Sequence, residues 1–332
     1  MAIMELSIVV PCYNEQECIK ELILRLNNVC KNFSFNYEII LVNDGSFDNT
    51  WKLMKKEASM DEKIVLINLS KNFGHQIALD AGLRVSIGKK IFIIDADLQD
   101  PPELLLKMLK IMKTDFDVVH GKRIKRKGET FFKRVSAFIF YRVISRLTND
   151  NLPVDVGDFR LMSRRALNAY LSMNEKNRFN RGLISWAGFN QTSVEYIREA
   201  RFEGKTKYDL KRMILLALDG ITSFSIKPLR LSIYLAMLCS LGTFFSITYV
   251  LWEWFLGNTI SGWTSIIILI LFLNSIHFFL LGVLSEYIGR TFIEVKNRPL
   301  FFIKDIFTKA PSKKKKIITQ INQKNSSWIF PH

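Results

Sequence analysis

Ile91-Phe92-Ile93-Ile94-Asp95-Ala96-Asp97-Leu98-Gln99-Asp100-Pro101-Pro102 joins an apolar run to a cluster of carboxylates. The run is short, continuous and rich in isoleucine, which suits a strand buried on both faces. Carboxylates directly at the end of such a strand are hard oxygen ligands. They suit Mg²⁺ or Mn²⁺, with coordination positions left for phosphate oxygens. Asp100 before Pro101-Pro102-Glu103 also reads as a helix cap. A cap accounts for that one acid and leaves Asp95 and Asp97 for a metal and a phosphorylated substrate.

Upstream, the same pattern repeats. Leu6 to Val10, Tyr37 to Val42 and Ile64 to Leu69 are apolar throughout, and each is followed by a stretch of helical periodicity: to about Lys31, from Asp48 to about Ser59, and from Gly74 to Ile87. Such alternation predicts an α/β fold with a mostly parallel, Rossmann-like sheet covered on both faces. Ligands gather at the carboxyl ends of strands in these sheets. Those ends read Pro11-Cys12-Tyr13-Asn14-Glu15, Asn43-Asp44-Gly45-Ser46, Ser70-Lys71-Asn72-Phe73-Gly74 and the acidic cluster. Each alone is an ordinary turn. On one sheet edge together they predict a nucleotide pocket, and the lack of Gly-x-Gly-x-x-Gly removes support for a dinucleotide fold.

Farther along, Leu231 to Trp252 and Trp263 to Leu284 each hold long uncharged stretches. As a helix, either run would span about 33 Å, enough for a hydrocarbon core of about 30 Å. They predict two transmembrane helices joined by the uncharged turn 257–262. Lys205, Lys207, Lys211, Arg212, Lys227 and Arg230 precede the first run, and Arg290, Lys296, Arg298, Lys304 and Lys313 to Lys316 follow the second. By the positive-inside rule both flanks face the cytosol, so the expectation is a multi-pass protein of the cell (inner) membrane with its catalytic domain and both termini cytoplasmic. No signal peptide is visible at the N-terminus. The expected division is a catalytic domain over 1–200, an amphipathic juxtamembrane segment over 201–230, two spans over 231–290 and a basic tail over 291–332.

The net charge is +16, from 47 Lys and Arg against 31 Asp and Glu. With much of the excess beside apolar spans, anionic lipid rather than nucleic acid is the expected partner. Cys12, Cys18, Cys30 and Cys239 lack metal-ligand spacing and are expected as free thiols, and the four scattered histidines make a zinc site improbable.

Val10-Pro11-Cys12-Tyr13-Asn14-Glu15, Val42-Asn43-Asp44-Gly45-Ser46 and Asp95-Ala96-Asp97 resemble family 2 glycosyltransferases of the GT-A fold. The resemblance continues through Gly157 to Arg164, Gly204-Lys205-Thr206-Lys207-Tyr208, Gly220 to Ser225 and Glu286-Tyr287-Ile288-Gly289-Arg290, and so covers the chain to about residue 305. It is strongest toward the bactoprenol (polyprenyl-phosphate) glucosyltransferases, with dolichol-phosphate mannose synthases and aminoarabinose transferases as cousins. Val156, where close relatives often carry Thr, is a mild departure.

The resemblance implies metal-dependent, inverting transfer of a hexose, glucose from UDP-glucose first, to undecaprenyl phosphate at the cytosolic membrane face. Mannose-type or aminoarabinose-type transfer to the same lipid class is the alternative. Carried over by position, Pro11, Tyr13, Glu15 and Asp44 hold uracil and ribose. Asp95 and Asp97 serve ribose, diphosphate and metal, with Asp97 and Gln99 as direct ligands. Asp158 stands where the family has its base or sugar-orienting carboxylate. Arg123, Arg134, Arg201 and Lys207 are the candidates for the acceptor phosphate, since guanidinium groups bind phosphate through paired hydrogen bonds. An interfacial helix is expected over Thr130 to Leu147. A homo-oligomer, by resemblance a tetramer, is also implied. A processive polysaccharide synthase is disfavoured because Gln-x-x-Arg-Trp is missing from Arg178 to Trp186, and a non-catalytic scaffold because Asp95, Asp97 and Asp158 are all present.

Overall fold

A computed structural model describes residues 4–31, 33–125, 156–176, 178, 180–197 and 262–309, with scattered positions between 237 and 256. Arg134, Arg201, Lys207, the stretch Thr130 to Leu147 and the tail from Ala310 lie outside the described residues.

The expected alternation is present. Strands β1 (Met4–Cys12), β2 (Asn36–Asn43), β3 (Ile64–Leu69) and β4 (Lys90–Ile93) alternate with helices α1 (Ile19–Cys30), α2 (Thr50–Met60), α3 (His75–Val85) and α4 (Leu104–Met112). Then come β5 (Val118–Lys125), β6 (Val156–Ser163), α5 (Arg164–Ser172), α6 (Asn180–Trp186), β7 (Gln191–Ile197), a long α7 (Trp263–Lys296) and β8 (Ile303–Thr308). All eight strands form one sheet in the order β7-β5-β6-β4-β1-β2-β3-β8. Strand β1 pairs in parallel with β2 and β4, and β2 with β3. The parallel ends of β1 to β4 therefore open on one edge.

Alternation along β1 explains the two-faced core. Leu6, Ile8 and Val10 point into a layer with Leu22 and Leu26 of α1, Met54 of α2, and Leu105 and Met108 of α4. Val9 points the other way, among Ala78 and Leu79 of α3, Leu167 and Tyr170 of α5, and Leu183 and Ile184 of α6. A strand buried on both faces cannot show polar alternation, which is why these runs read as continuously apolar. Each fully buried aliphatic side chain stabilises the fold by about 2 kcal/mol. Cys12, Cys18 and Cys30 are buried thiols outside any disulfide.

Two features depart from the sequence reading. Asp100 caps no helix: α4 begins at Leu104, after a turn, with Glu103 at the cap position. And the stretch from 291, read as a basic tail, has a part in the sheet. Strand β8 pairs antiparallel with β3, and Asn68 Nδ2 donates to Asp305 Oδ2 at 3.0 Å. Phe301 is buried in the same apolar cluster as residues of α3, α5 and α6, and Phe302 O accepts from Ser70 N at 2.9 Å.

Helix α7 is 34 residues long, and its part Phe272–Lys296 is apolar and long enough to cross a membrane. Leu269, Phe272, Phe278 and Phe279 are exposed, which fits a lipid-facing surface. Much of the first apolar run lies outside the described residues, although Met237, Phe244, Tyr249 and Trp252 are in helical conformation.

Candidate active site

The site is assembled where β1 to β4 end. Asp44, after β2, is buried. It accepts from Phe73 N at 2.8 Å through Oδ1 and from Gly74 N at 3.0 Å through Oδ2. Expected to hold uracil or ribose, it clamps the loop that starts α3. Next to it Gly45 has φ +66, and a Cβ there would stand 2.6 Å from Asn72 N. Gly45→Ala is expected to cost about 1–3 kcal/mol and to push the two loops apart, read as a lower melting temperature together with weaker nucleotide binding.

The β1 and β2 loops interlock. Asn14, with φ 53, donates from N to Ser46 Oγ at 3.0 Å and accepts from Phe47 N at 3.1 Å through Oδ1. Asparagine tolerates that left-handed conformation. Glu15 N donates to Thr50 Oγ1 at 2.9 Å. Tyr13 meets the exposed Phe47 edge-on, with ring centroids 6.0 Å apart. Pro11 is buried within β1 opposite Val42.

Beyond β4 the chain turns sharply. Leu98 is buried with φ 58, a strained conformation for a side-chain-bearing residue, and it lets Gln99 N return to Asp97 Oδ1 at 3.2 Å. Gln99 thus reaches Asp97 through its backbone. Asp97 is itself largely buried. Asp95 Oδ1 is buried and accepts no hydrogen bond, with His75 Nε2 3.4 Å away. Burial first, then Asp100, Asp97 and Asp158, push the Asp95 carboxyl up to about 6 against the pull of His75. A buried, under-satisfied carboxylate oxygen is what a divalent cation would fill. No group of three His, Cys, Asp or Glu among the described residues could alone enclose a metal. Two carboxylates with phosphate oxygens and water completing the shell fit a hard ion.

Asp158, in β6, faces this cluster. Oδ1 accepts from Arg160 Nη2 at 2.8 Å and lies 3.6 Å from Arg181 Nε. Oδ2 accepts from Gln76 Nε2 at 2.8 Å and lies 3.6 Å from His75 Nε2. Burial alone would raise this carboxyl, but Arg181, His75 and Arg160 together hold it well below the usual range. Burial likewise pulls His75 down, yet Asp95 and Asp158 bring it up to about 9.

Of the four cations expected at the acceptor phosphate, Arg123 alone is described. It donates through Nε to Tyr196 Oη at 3.0 Å and pairs through Nη2 with Asp100 at 3.4 Å, and Tyr196 Oη donates to the same buried carboxylate. Gly157 makes room for it, since a Cβ there would sit 2.8 Å from Nη2.

His75, Gln76, Arg160 and Arg181 were missed in the sequence. His75 and Gln76 directly follow the polar end of β3, a position the sheet-edge rule could have extended to. Arg160 stands inside Gly157-Asp158-Phe159-Arg160, two residues from Asp158 and so on the same face of β6.

Across the sheet from Arg160, His120 is buried, with Nε2 2.8 Å from Gln191 Oε1 and Nδ1 without a partner. Burial, then Arg160, pushes it down to about 4. The unfolded chain, with its histidine near 6.5, takes up this proton first. Stability from His120 is therefore full above about pH 6.5 and is drawn down by up to roughly 3 kcal/mol as pH falls toward 4. Melting at pH 7 and pH 5 tests this, with His120→Gln expected to flatten the difference.

Residues 7–171 match the model of glycosyl transferase family 2, and residues 227–291 that of the GtrB C-terminal hairpin. The chain is 47% identical over 298 residues to the glycosyltransferase YkcC of Bacillus subtilis (strain 168), covering 90% of this chain and 92% of that one. It is 37% identical to the prophage bactoprenol glucosyl transferase homolog of Escherichia coli (strain K12), covering 91% and 99% of the two chains. With the SfII prophage-derived bactoprenol glucosyl transferase of Shigella flexneri the identity is 36%, over 91% and 98%. The sheet order, the acids at the ends of β4 and β6, and these matches agree: the chain belongs to glycosyl transferase family 2, in the branch that carries the GtrB C-terminal hairpin.

Proposed function

We propose that this glycosyltransferase moves glucose from UDP-glucose to undecaprenyl phosphate, with inversion, at the cytosolic face of the membrane. The observation that carries the reading is the pairing of an acid constellation, half-buried Asp95 with buried Asp97 and Asp158, with a long apolar helix whose C-terminal side re-enters the same sheet through β8. The names of the relatives in Escherichia coli and Shigella flexneri support glucose and bactoprenol. The hairpin match supports two spans, and the flanking cations support a cytoplasmic side for both termini. A homo-oligomer, in the form of a tetramer, belongs to the same reading.

In the transfer, a phosphate oxygen of the acceptor bonds to the anomeric carbon as the bond from that carbon to the diphosphate oxygen breaks. The electron pair leaves with UDP. A phosphate monoester has its second pKa near 6, so the nucleophile is already dianionic near pH 7 and no proton need be removed. That bears on Asp158. Both of its oxygens face donors, so it stays ionised and is a weak base. Its role in this reading is to orient the donor sugar and stabilise positive charge developing at the anomeric carbon. Asp97, with the unfilled oxygen of Asp95, would hold Mg²⁺ or Mn²⁺, which supplies Lewis-acid stabilisation of the leaving diphosphate. Tyr13 and Phe47 offer aromatic faces for the base at the mouth of the β1 and β2 loops. Arg134, Arg201 and Lys207 are proposed for the acceptor phosphate, with Arg123 holding Asp100 behind the metal ligands.

The test is to incubate purified protein in lipid with Mn²⁺, undecaprenyl phosphate and, separately, UDP-glucose, UDP-galactose or GDP-mannose, and to weigh the lipids by mass spectrometry. A hexosyl-phosphoprenyl product from UDP-glucose alone is expected. Product from GDP-mannose alone would replace the donor and keep the chemistry. No product from any donor would overturn the reading.

A further inference from the structure

The last turn of α7 makes a polar contact with the catalytic domain. Lys176 N donates to Glu294 Oε1 at 2.7 Å, and both residues are half-buried. Lys176 lies in the segment joining α5 to α6, and Arg178, Asn180 and Arg181 after it make contacts toward the site. The Arg178 guanidinium is fully buried, pairing with Asp80 of α3 and with Met173 O. It also lies 5.0 Å over the Tyr170 ring. Asn180 accepts from Tyr170 Oη at 2.8 Å, and its N donates to Gln76 Oε1 at 3.4 Å. Arg181 stands 3.6 Å from Asp158. Through Asp80 the segment is fastened to α3, whose first residues, His75 and Gln76, also face Asp158. Among the described residues, the charged or amide partners of Asp158 other than Arg160 thus sit on α3 or at the start of α6, directly after the segment that Glu294 holds.

The helix end is fixed in turn. Asn297, with φ 45, closes α7, Phe301 is buried in the core cluster that also holds residues of α3, α5 and α6, and β8 follows in the sheet. A carboxylate on this helix therefore holds a defined place relative to the 173–181 segment.

We propose that Glu294 is a positioning residue: by accepting the Lys176 N–H it sets the segment that holds Arg181 and Gln76 against Asp158, and so ties the geometry of the catalytic carboxylate to the seating of the membrane helix. This rests on the reading of Asp158 as the carboxylate that serves the sugar. What the contact needs is an acceptor oxygen, not a charge, so glutamine should serve at 294 and alanine should not.

The experiment compares wild type, Glu294→Gln and Glu294→Ala as full chains in lipid, by kinetics and by amide hydrogen exchange. In Glu294→Ala, kcat should fall roughly tenfold while KM for UDP-glucose stays within about twofold, because misplacement of the acid by a fraction of an ångström acts on the transition state. Exchange should quicken from Lys176 to Arg181 and at Gln76. Glu294→Gln should match wild type in both. A lower melting temperature with unchanged kcat for the folded alanine variant would make the contact merely structural and overturn the proposal. Equal losses in both variants would also overturn it. If wild type transfers no hexose from any donor, the functional reading has failed, and exchange alone then decides: unchanged protection from 176 to 181 in Glu294→Ala overturns the positioning role.

Discussion

In Asp97→Asn, hexose transfer should fall by about three orders of magnitude or more while the thermal melt barely moves. Asparagine has nearly the same shape, and its carbonyl oxygen can still accept from Gln99 N, the 3.2 Å contact that closes the turn after β4. What disappears is one negative charge beside Asp95, where the divalent ion and the diphosphate would meet. The loss should therefore appear in Mn²⁺ affinity in the presence of UDP as well as in turnover. Activity within tenfold of wild type would remove Asp97 from the metal site.

Asp158→Asn should behave differently, and the contrast separates the two acids. Turnover should drop by about 10²–10³, with little change in KM for UDP-glucose, since the carboxylate acts on charge that develops only as the sugar bond breaks. Stability should fall too. Arg160 is fully buried and donates to the Asp158 carboxylate at 2.8 Å, so neutralising that acid leaves a buried cation short of its partner, at a cost of about 3–5 kcal/mol. A melt several degrees lower is expected, where Asp97→Asn shows almost none. The pH profile decides the role. Rate should rise with pH through about 6 as the acceptor phosphate becomes dianionic, and the variant should keep that limb at lower height. A limb that vanishes in Asp158→Asn would make this acid the general base.

These two expectations draw on different sources. Asp97 could be singled out in the linear sequence because strand, turn and acid lie within twelve consecutive residues. The turn geometry at Leu98 was not legible, since a leucine with positive φ goes against its own preference and is held there by packing. Asp158 was located by resemblance, but its low pKa comes from Arg181 and His75, which arrive from other elements, together with Arg160. Arg123 is expected at the acceptor phosphate because a guanidinium pairs with phosphate, and only the fold shows that Asp100 and Tyr196 also meet it.

The sequence by itself determined the parallel strands, the polar ends of β1 to β4, the acid cluster and the apolar runs. All of these are properties of composition and spacing over a few neighbouring residues, where side-chain period and hydropathy act directly. The tertiary structure alone decided which cations surround Asp158, that Asp100 is an ion-pair partner rather than a cap, and that the chain after α7 returns as β8. The Asn68–Asp305 hydrogen bond joins residues 237 apart. No local pattern encodes such a pairing, because its free energy depends on two distant segments being brought to the same sheet edge by the burial of everything between them.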